Sequence, residues 1–269
     1  MEPSVRDVIT ELLSVAADCG QPEVRVRLLI DACAIFGFSA NTVRVTLVKM
    51  RAQGLVESPS RGLYQLGPER RALSEQVMSW RRMREELVPW DGSWIGAVTG
   101  HLSRADRAAL GKRNRALRLL GFRELEEGLS LRPNNRAGGV AQMRAQLLRL
   151  GGEPGVVLCR ADQLSADDVE RAMQLWDSEA MLRRYGALTE RLATSAAQRA
   201  TLGIEQAMHE AFVLGREVIR WLALDPLLPE RMVPQQARDA LIDAMIRYDA
   251  DGRWLWREYL GVIGNEYAA

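Results

Sequence analysis

The first 66 residues change hydrophobic period once, and that change limits the possible folds more than any other feature of the chain. Val5, Val8, Ile9, Leu12 and Leu13 recur at the spacing of one helix face. Ser4 stands where a helix cap belongs, and Asp7, three residues on, completes an approximate capping box. Gly20-Gln21-Pro22 ends this segment. A second helical pattern holds Leu28, Leu29, Ala32, Ile35 and Phe36 and breaks at Gly37. Ser39 caps a third, from Ala40 to about Gln53, with Gly54 as its C′ residue. The period then shortens. Leu55 to Leu66 contains two β-prone runs around Ser58-Pro59-Ser60-Arg61-Gly62, the pattern of a hairpin. Three short helices followed by a hairpin predict a winged helix-turn-helix over residues 1–67.

The third helix carries chemistry. At about 100° per residue, Val43, Leu47 and Met50 share a face suited to a core. Asn41, Val45 and Lys49 fall opposite, with Thr42 and Arg44 beside them. No acidic residue occurs from Ser39 to Gln53. Amide and guanidinium groups suit base edges, a methyl-bearing side chain suits thymine, and cations suit phosphates. The candidate DNA contacts are therefore Asn41, Thr42, Arg44, Val45 and Lys49, with Arg61 at the hairpin tip reaching a phosphate or the minor groove. Residues 1–66 carry no net charge, so Glu2, Glu11, Asp18 and Glu23 are expected to lie away from the DNA.

The formal charge of +1 over 269 residues hides a partition: +7 over residues 67–161 and −6 over residues 162–269. Three cysteines, Cys19, Cys33 and Cys159, make neither a disulfide framework nor a metal knuckle and read as small reduced core residues. The start lacks a basic leader with an unbroken apolar core, and no segment approaches a membrane span, so a cytoplasmic location without membrane contact is expected.

Gly67-Pro68 stops the hairpin. A charged connecting helix is expected over residues 68–88, with Leu73, Val77, Trp80, Met83 and Leu87 at helical spacing. Residues 89–161 then read as strand Ile95–Thr99, a helix capped by Ser103 and running to Leu120, strands Phe122–Glu126 and Leu129–Leu131, helix Val140–Leu150 and strand Val156–Cys159. The order β-α-β-β-α-β predicts a ferredoxin-like split βαβ domain. Residues 162–269 are expected to form a helical C-terminal domain. Its helices are Ser165–Trp176, Ser178–Ala197, Thr201–Leu224 and Gln235–Ile263, and a proline-punctuated connection, Asp225 to Pro234, precedes the last. Trp176 and Trp221 also stand in this region, and Trp254, Trp256 and Tyr259 read as core or interface aromatics, with the lining of an effector pocket as the alternative. The fold class is thus α+β.

Catalytic patterns are missing. His101 and His209 stand in different units, and His209-Glu210 lacks the second histidine of a zinc-binding helix. Asp167-Asp168 reads as helix-start charge. No phosphate-cradling glycine loop and no nucleophile elbow occurs. Neither a cofactor nor a metal nor an enzymatic activity is expected.

Scattered motifs, in order along nearly the whole chain, together resemble the PaaX family of bacterial repressors of aromatic-acid catabolism. They are Val43-Arg44, Leu47 and Gly54-Leu55-Val56; Tyr64 and Leu66; Pro89-Trp90-Asp91-Gly92 with Trp94; Gly121-Phe122, Leu125, Gly128 and Pro133; and Asp225-Pro226, Leu228-Pro229 and Val233-Pro234. The resemblance implies a homodimer that binds double-stranded operator DNA and is released by an acyl-coenzyme A, typically phenylacetyl-CoA. It also implies a middle domain similar to a small CRISPR-adaptation nuclease. Such a nuclease needs an acid near the end of its first strand, where this chain has Val98-Thr99-Gly100-His101. An acyl-CoA pairs phosphates with an apolar group and calls for clustered arginine beside aromatics. Arg81, Arg82 and Arg84 in the connecting helix, or Arg113, Arg115 and Arg118 in the next one, are the effector candidates.

The expected function is therefore a dimeric, ligand-responsive transcriptional regulator, a repressor released by an acyl-CoA or related effector. Two rivals stand beside it. One is a metal-dependent nuclease or phosphodiesterase in the middle domain, dependent on an acid such as Asp91. The other is a winged helix used for protein contacts.

Overall fold

The computed structural model describes residues 3–265. It is an α+β chain with a helical N-terminal region, two small antiparallel sheets and a helical C-terminal region. Its contacts gather into two units. Among the described residues, one holds 3–78, 189–219 and 243–265; the other holds 79–188 and 220–242.

In the first unit, α1 (Val5–Asp18) opens as expected. The Ser4 hydroxyl accepts from the Asp7 amide, and the Asp7 carboxylate accepts from the Ser4 amide. Then follow α2 (Val26–Ala34) and α3 (Ala40–Ala52), the latter capped by Ser39 on the Thr42 amide at 3.1 Å. Ile35 and Phe36 lie just past the end of α2, while Gly54 takes the left-handed conformation expected of a C′ residue (φ 68°). The hairpin forms from β2 (Val56–Glu57) and β3 (Leu63–Leu66). A two-residue strand that the sequence did not announce, β1 (Val24–Arg25), joins the other edge of β3. Val8, Ile9, Leu13, Leu29, Val43 and Leu47 are wholly buried beneath these elements.

The connecting segment departs from expectation. Instead of one solvated helix over residues 68–88 there is α4 (Pro68–Met78) and then a 3₁₀ turn over Ser79–Arg82. Trp80 and Met83 are buried, so apolar packing sets the course of the chain here.

In the second unit, β4 (Trp94–Val98), α5 (Arg107–Leu119), β5 (Arg123–Glu126), β6 (Leu129–Pro133), α6 (Gly139–Arg149) and β7 (Val157–Ala161) follow the expected order. The sheet is antiparallel, in the order β5-β6-β4-β7. Ile95, Ala97, Ala116, Leu120, Met143 and Leu147 build one core cluster. Helix α5 starts at Arg107 rather than just after Ser103, because the Asp106 carboxylate accepts from the amides of Ala108 and Ala109 at 2.9 and 3.1 Å. Gly128 turns β5 into β6 with φ 80°. A Cβ there would lie 2.6 Å from the Gly100 Cα, so only glycine fits.

The Asp225–Pro234 connection is a buried polar hub. Asp225 accepts from the Tyr185 hydroxyl at 2.6 Å and from the Leu227 amide at 2.8 Å. Leu227 sits at φ 56°, a strained value for leucine, and the Asn135 amide group holds its carbonyl. Arg132, almost wholly buried, donates to the carbonyls of Leu120 and Pro133 and to the Asn135 side chain. Each partner of this hub satisfies a group that burial would otherwise leave unpaired.

The last helices are α7 (Ala166–Met173), α8 (Ser178–Arg199), α9 (Ile204–Ala223) and α10 (Gln235–Asn265). The residues of α8, α9 and α10 divide between the two units. Trp176 is buried against Trp94, and Trp256 packs on the first unit's core, the latter as read from sequence. Trp221 is half-buried beneath Arg184. Trp254 is instead 56% exposed. Tyr259 falls outside the side chains described. Only Cys33 is a core cysteine; Cys19 and Cys159 are exposed. No helix among the described residues is long and apolar enough to cross a membrane.

Candidate nucleic-acid interface

Helix α3 is amphipathic in an unusual sense. Its inner face is apolar and buried through Val43, Leu47 and Met50. Its outer side is exposed at every remaining position except Ala40 and Thr46, which are half-buried. Asn41, Thr42, Arg44, Val45 and Lys49 are all exposed, as is Arg61 in the turn between β2 and β3. The sequence reading therefore located these six side chains on accessible surface.

Two neighbours were missed. Val48 is 67% exposed and lies beside Asn41 on the helical wheel, on the side away from Val45. Arg51 is exposed two turns beyond Arg44 along the same flank. The wheel contained both, but the pattern Asn41, Val45, Lys49 drew attention to one side of the outer face. With Val48 included, its centre runs through Asn41, Val45, Val48 and Ala52, and the cations stand on either side.

The acids of the N-terminal region are partly accounted for. Asp7 and Glu11 on α1 both pair with Arg216 of α9, at 2.6 and 3.2 Å. Burial pushes the Glu11 carboxyl up to about 8 against the pull of Arg216, with Asp7 adding to the push. At Asp7 the balance is reversed. Burial is outweighed by the Ser4 hydrogen bonds and Arg216, and its carboxyl sits below the usual value. Glu23 is exposed before β1, whereas Glu2 and the Asp18 side chain lie outside the described residues. Phe36, past the end of α2, meets Phe212 and His209 of α9 at ring distances of 4.8 and 5.0 Å. Helix α9, as far as Ile219, thus belongs to the same unit as α3.

The effector candidates do not converge as free guanidinium groups. Arg113 is 3% exposed and pairs with Glu153 at 2.5 Å, which corrects its reading as a phosphate ligand. Arg84 is tied to Asp239 by its carbonyl at 2.9 Å and its carboxylate at 3.4 Å. Arg81 lies 4.8 Å from the centre of the Trp80 ring. Arg82, Arg115 and Arg118 are exposed. A cleft of about 320 Å³ between α8 and α9 is lined by Glu190, Arg191, Ser195 and Glu210 among others. Its two glutamates suit an anionic thioester poorly.

In the second unit, the Asp91 carboxylate accepts from the Ser93 amide and hydroxyl and pairs with Arg160 at 2.9 Å. The Ser93 hydrogen bonds, helped by Arg160, hold it below the usual carboxylate range. His101 is hydrogen-bonded to the Gly155 carbonyl. Among the described residues no group of three or more histidines, cysteines or acids is placed to hold a metal ion.

A basic helix presented outward from a small helical core points to a transcription regulator. The family model that the chain matches, described as PaaX-like protein, covers residues 4–69 and points the same way. Among solved structures, an uncharacterized protein, Rv0674 from Mycobacterium tuberculosis, is similar with a TM-score of 0.56 at 21% identity. The similarity covers 92% of this chain and 98% of that one and concerns the fold. No curated protein matches the chain.

Proposed function

We propose that the protein is a homodimeric, DNA-binding repressor that inserts α3 into the major groove of its operator and leaves the DNA when a small molecule binds. The observation that carries this reading is the outer face of α3, with Asn41, Arg44, Val45, Lys49 and Arg51 exposed and no acid among them. The succession α1-β1-α2-α3-β2-β3 supports a winged helix-turn-helix, with Arg61 at the wing tip. The order β5-β6-β4-β7 in an antiparallel sheet supports a ferredoxin-like middle domain. In this reading Asn41, Thr42 and Val45 meet base edges, and Arg44, Lys49 and Arg61 hold phosphates or the minor groove. Two-fold symmetry calls for an imperfect palindrome with half-sites about one helical turn, or a multiple of it, apart.

The effector is an acyl-CoA or a related anionic molecule held by Arg82, Arg115 or Arg118, the exposed members of the candidate set. It must bind the DNA-free state more tightly than the DNA-bound one. The test is a mobility shift on the promoter DNA flanking the protein's own gene, across a salt series, with and without phenylacetyl-CoA and other acyl-CoAs. Competitor-resistant binding that one thioester abolishes supports the whole reading. Binding that no thioester disturbs retains the regulator and discards the effector. Absence of binding at every salt concentration refutes the DNA-binding role in favour of protein contacts.

A further inference from the structure

The centre of the outer face of α3 is an uncharged stripe. Asn41, Val45, Val48 and Ala52 stand at i, i+4, i+7 and i+11, within about 60° of one another around the helix axis. All four are exposed, Val45 at 45% and Val48 at 67%. Arg44 and Arg51 border the stripe on one side and Lys49 on the other. Single exposed apolar side chains need no explanation, but this pair has a cost. Valine is a weaker helix former than alanine, lysine or glutamate because the helix restricts its χ1. At positions 45 and 48 that cost is not offset by burial.

The major groove contains one apolar feature, the C5-methyl group of thymine. Phosphates line both rims of that groove, and cations border both sides of this stripe. The charge arrangement thus matches duplex DNA better than an apolar protein partner, for which flanking charge on both sides is a desolvation burden. Val45 and Val48 are separated by about 4.5 Å along the helix, close to the 3.4 Å base-pair step. They would meet neighbouring base pairs.

Resting on the DNA-binding reading above, we propose that Val45 and Val48 are specificity-determining residues that read thymine methyl groups on neighbouring base pairs of each half-site. Asn41, at the N-terminal end of the stripe, supplies the polar contact beside them.

The experiment uses the full-length chain. Duplexes are first selected from a random library, and the selected sequence is then resynthesised with each thymine replaced by uracil, which removes the methyl and keeps the pairing. Uracil at the two positions is expected to weaken binding about fourfold each, the value of burying one methyl-sized group. In Val45→Ala one of these penalties disappears, and in Val48→Ala the other. Both side chains are exposed, so neither substitution threatens the fold. Equal binding of thymine and uracil duplexes overturns the proposal while leaving the DNA-binding reading intact. So does a uracil penalty that persists in both variants, or a selected half-site without thymine. Failure to select any sequence overturns both. A Val48→Ala change that alters the oligomeric state and not DNA affinity assigns the stripe to a second protein chain.

Discussion

Replacing Glu11 by glutamine should stabilise the protein at alkaline pH and leave it nearly unchanged at acidic pH. Glu11 lies on α1 against α9, with its side chain 23% exposed and Arg216 at 3.2 Å. Its carboxyl is raised from 4.5 to about 8, chiefly by burial. A carboxyl with a raised folded-state value binds its proton more tightly in the folded chain than in the unfolded one. Stability therefore falls as pH rises through 4.5, keeps falling to about 8, and is level above that. Taken whole, the displacement corresponds to about 5 kcal/mol. The water that still reaches the side chain reduces this, and about 2 kcal/mol is the expected loss. Asp7 does not blur the result, because its carboxyl is lowered and acts only at the acidic end of the range. The assay is urea unfolding followed by circular dichroism at several pH values from 5 to 9. The native chain should lose about 2 kcal/mol more than Glu11→Gln across that range. Arg216→Met should extend the loss beyond pH 8, because the one group pulling the carboxyl down is gone. Parallel pH profiles for the native chain and Glu11→Gln would refute the reasoning.

Other substitutions have equally direct outcomes. Lys49→Ala should weaken all duplexes alike and flatten the salt dependence of binding by about one unit of slope, whereas Asn41→Ala should relax base preference by about 1–3 kcal/mol at one position. A salt series on selected and random DNA separates the two effects. Gly128→Ala forces a Cβ to within 2.6 Å of the Gly100 backbone at a left-handed φ, and denaturant titration should register a loss of about 3 kcal/mol. Arg132→Met leaves the Leu120 and Pro133 carbonyls and the Asn135 side chain without this donor. It should cost about 3 kcal/mol by the same measurement.

Much of the fold was legible because it is written locally. The Ser4–Asp7 box, the Ser39 cap and the alternation of strands and helices from Trp94 to Ala161 all use contacts a few residues apart or a period of one face. The exposed face of α3 was legible for the same reason, since Val43, Leu47 and Met50 define its opposite. Arg113 was misread because a run of basic residues looks the same whether each faces water or an internal partner. Glu153, forty residues away, decided the matter. The start of α5 moved to Arg107 because Asp106 competes with Ser103 for the role of cap, and only Asp106 meets the amides of Ala108 and Ala109.

The sequence by itself determined the helices, the hairpin, the β-α-β-β-α-β order and the side chains that α3 turns outward, because periodicity, caps and turn residues act within one element. Tertiary structure alone decided that β1 pairs with β3, that Trp80 is buried, and that α9 binds α1 through Arg216, Asp7 and Glu11. Those choices join residues up to about two hundred positions apart. Their energy comes from burial and from charges brought together, and a one-dimensional pattern does not record which distant partner will supply either.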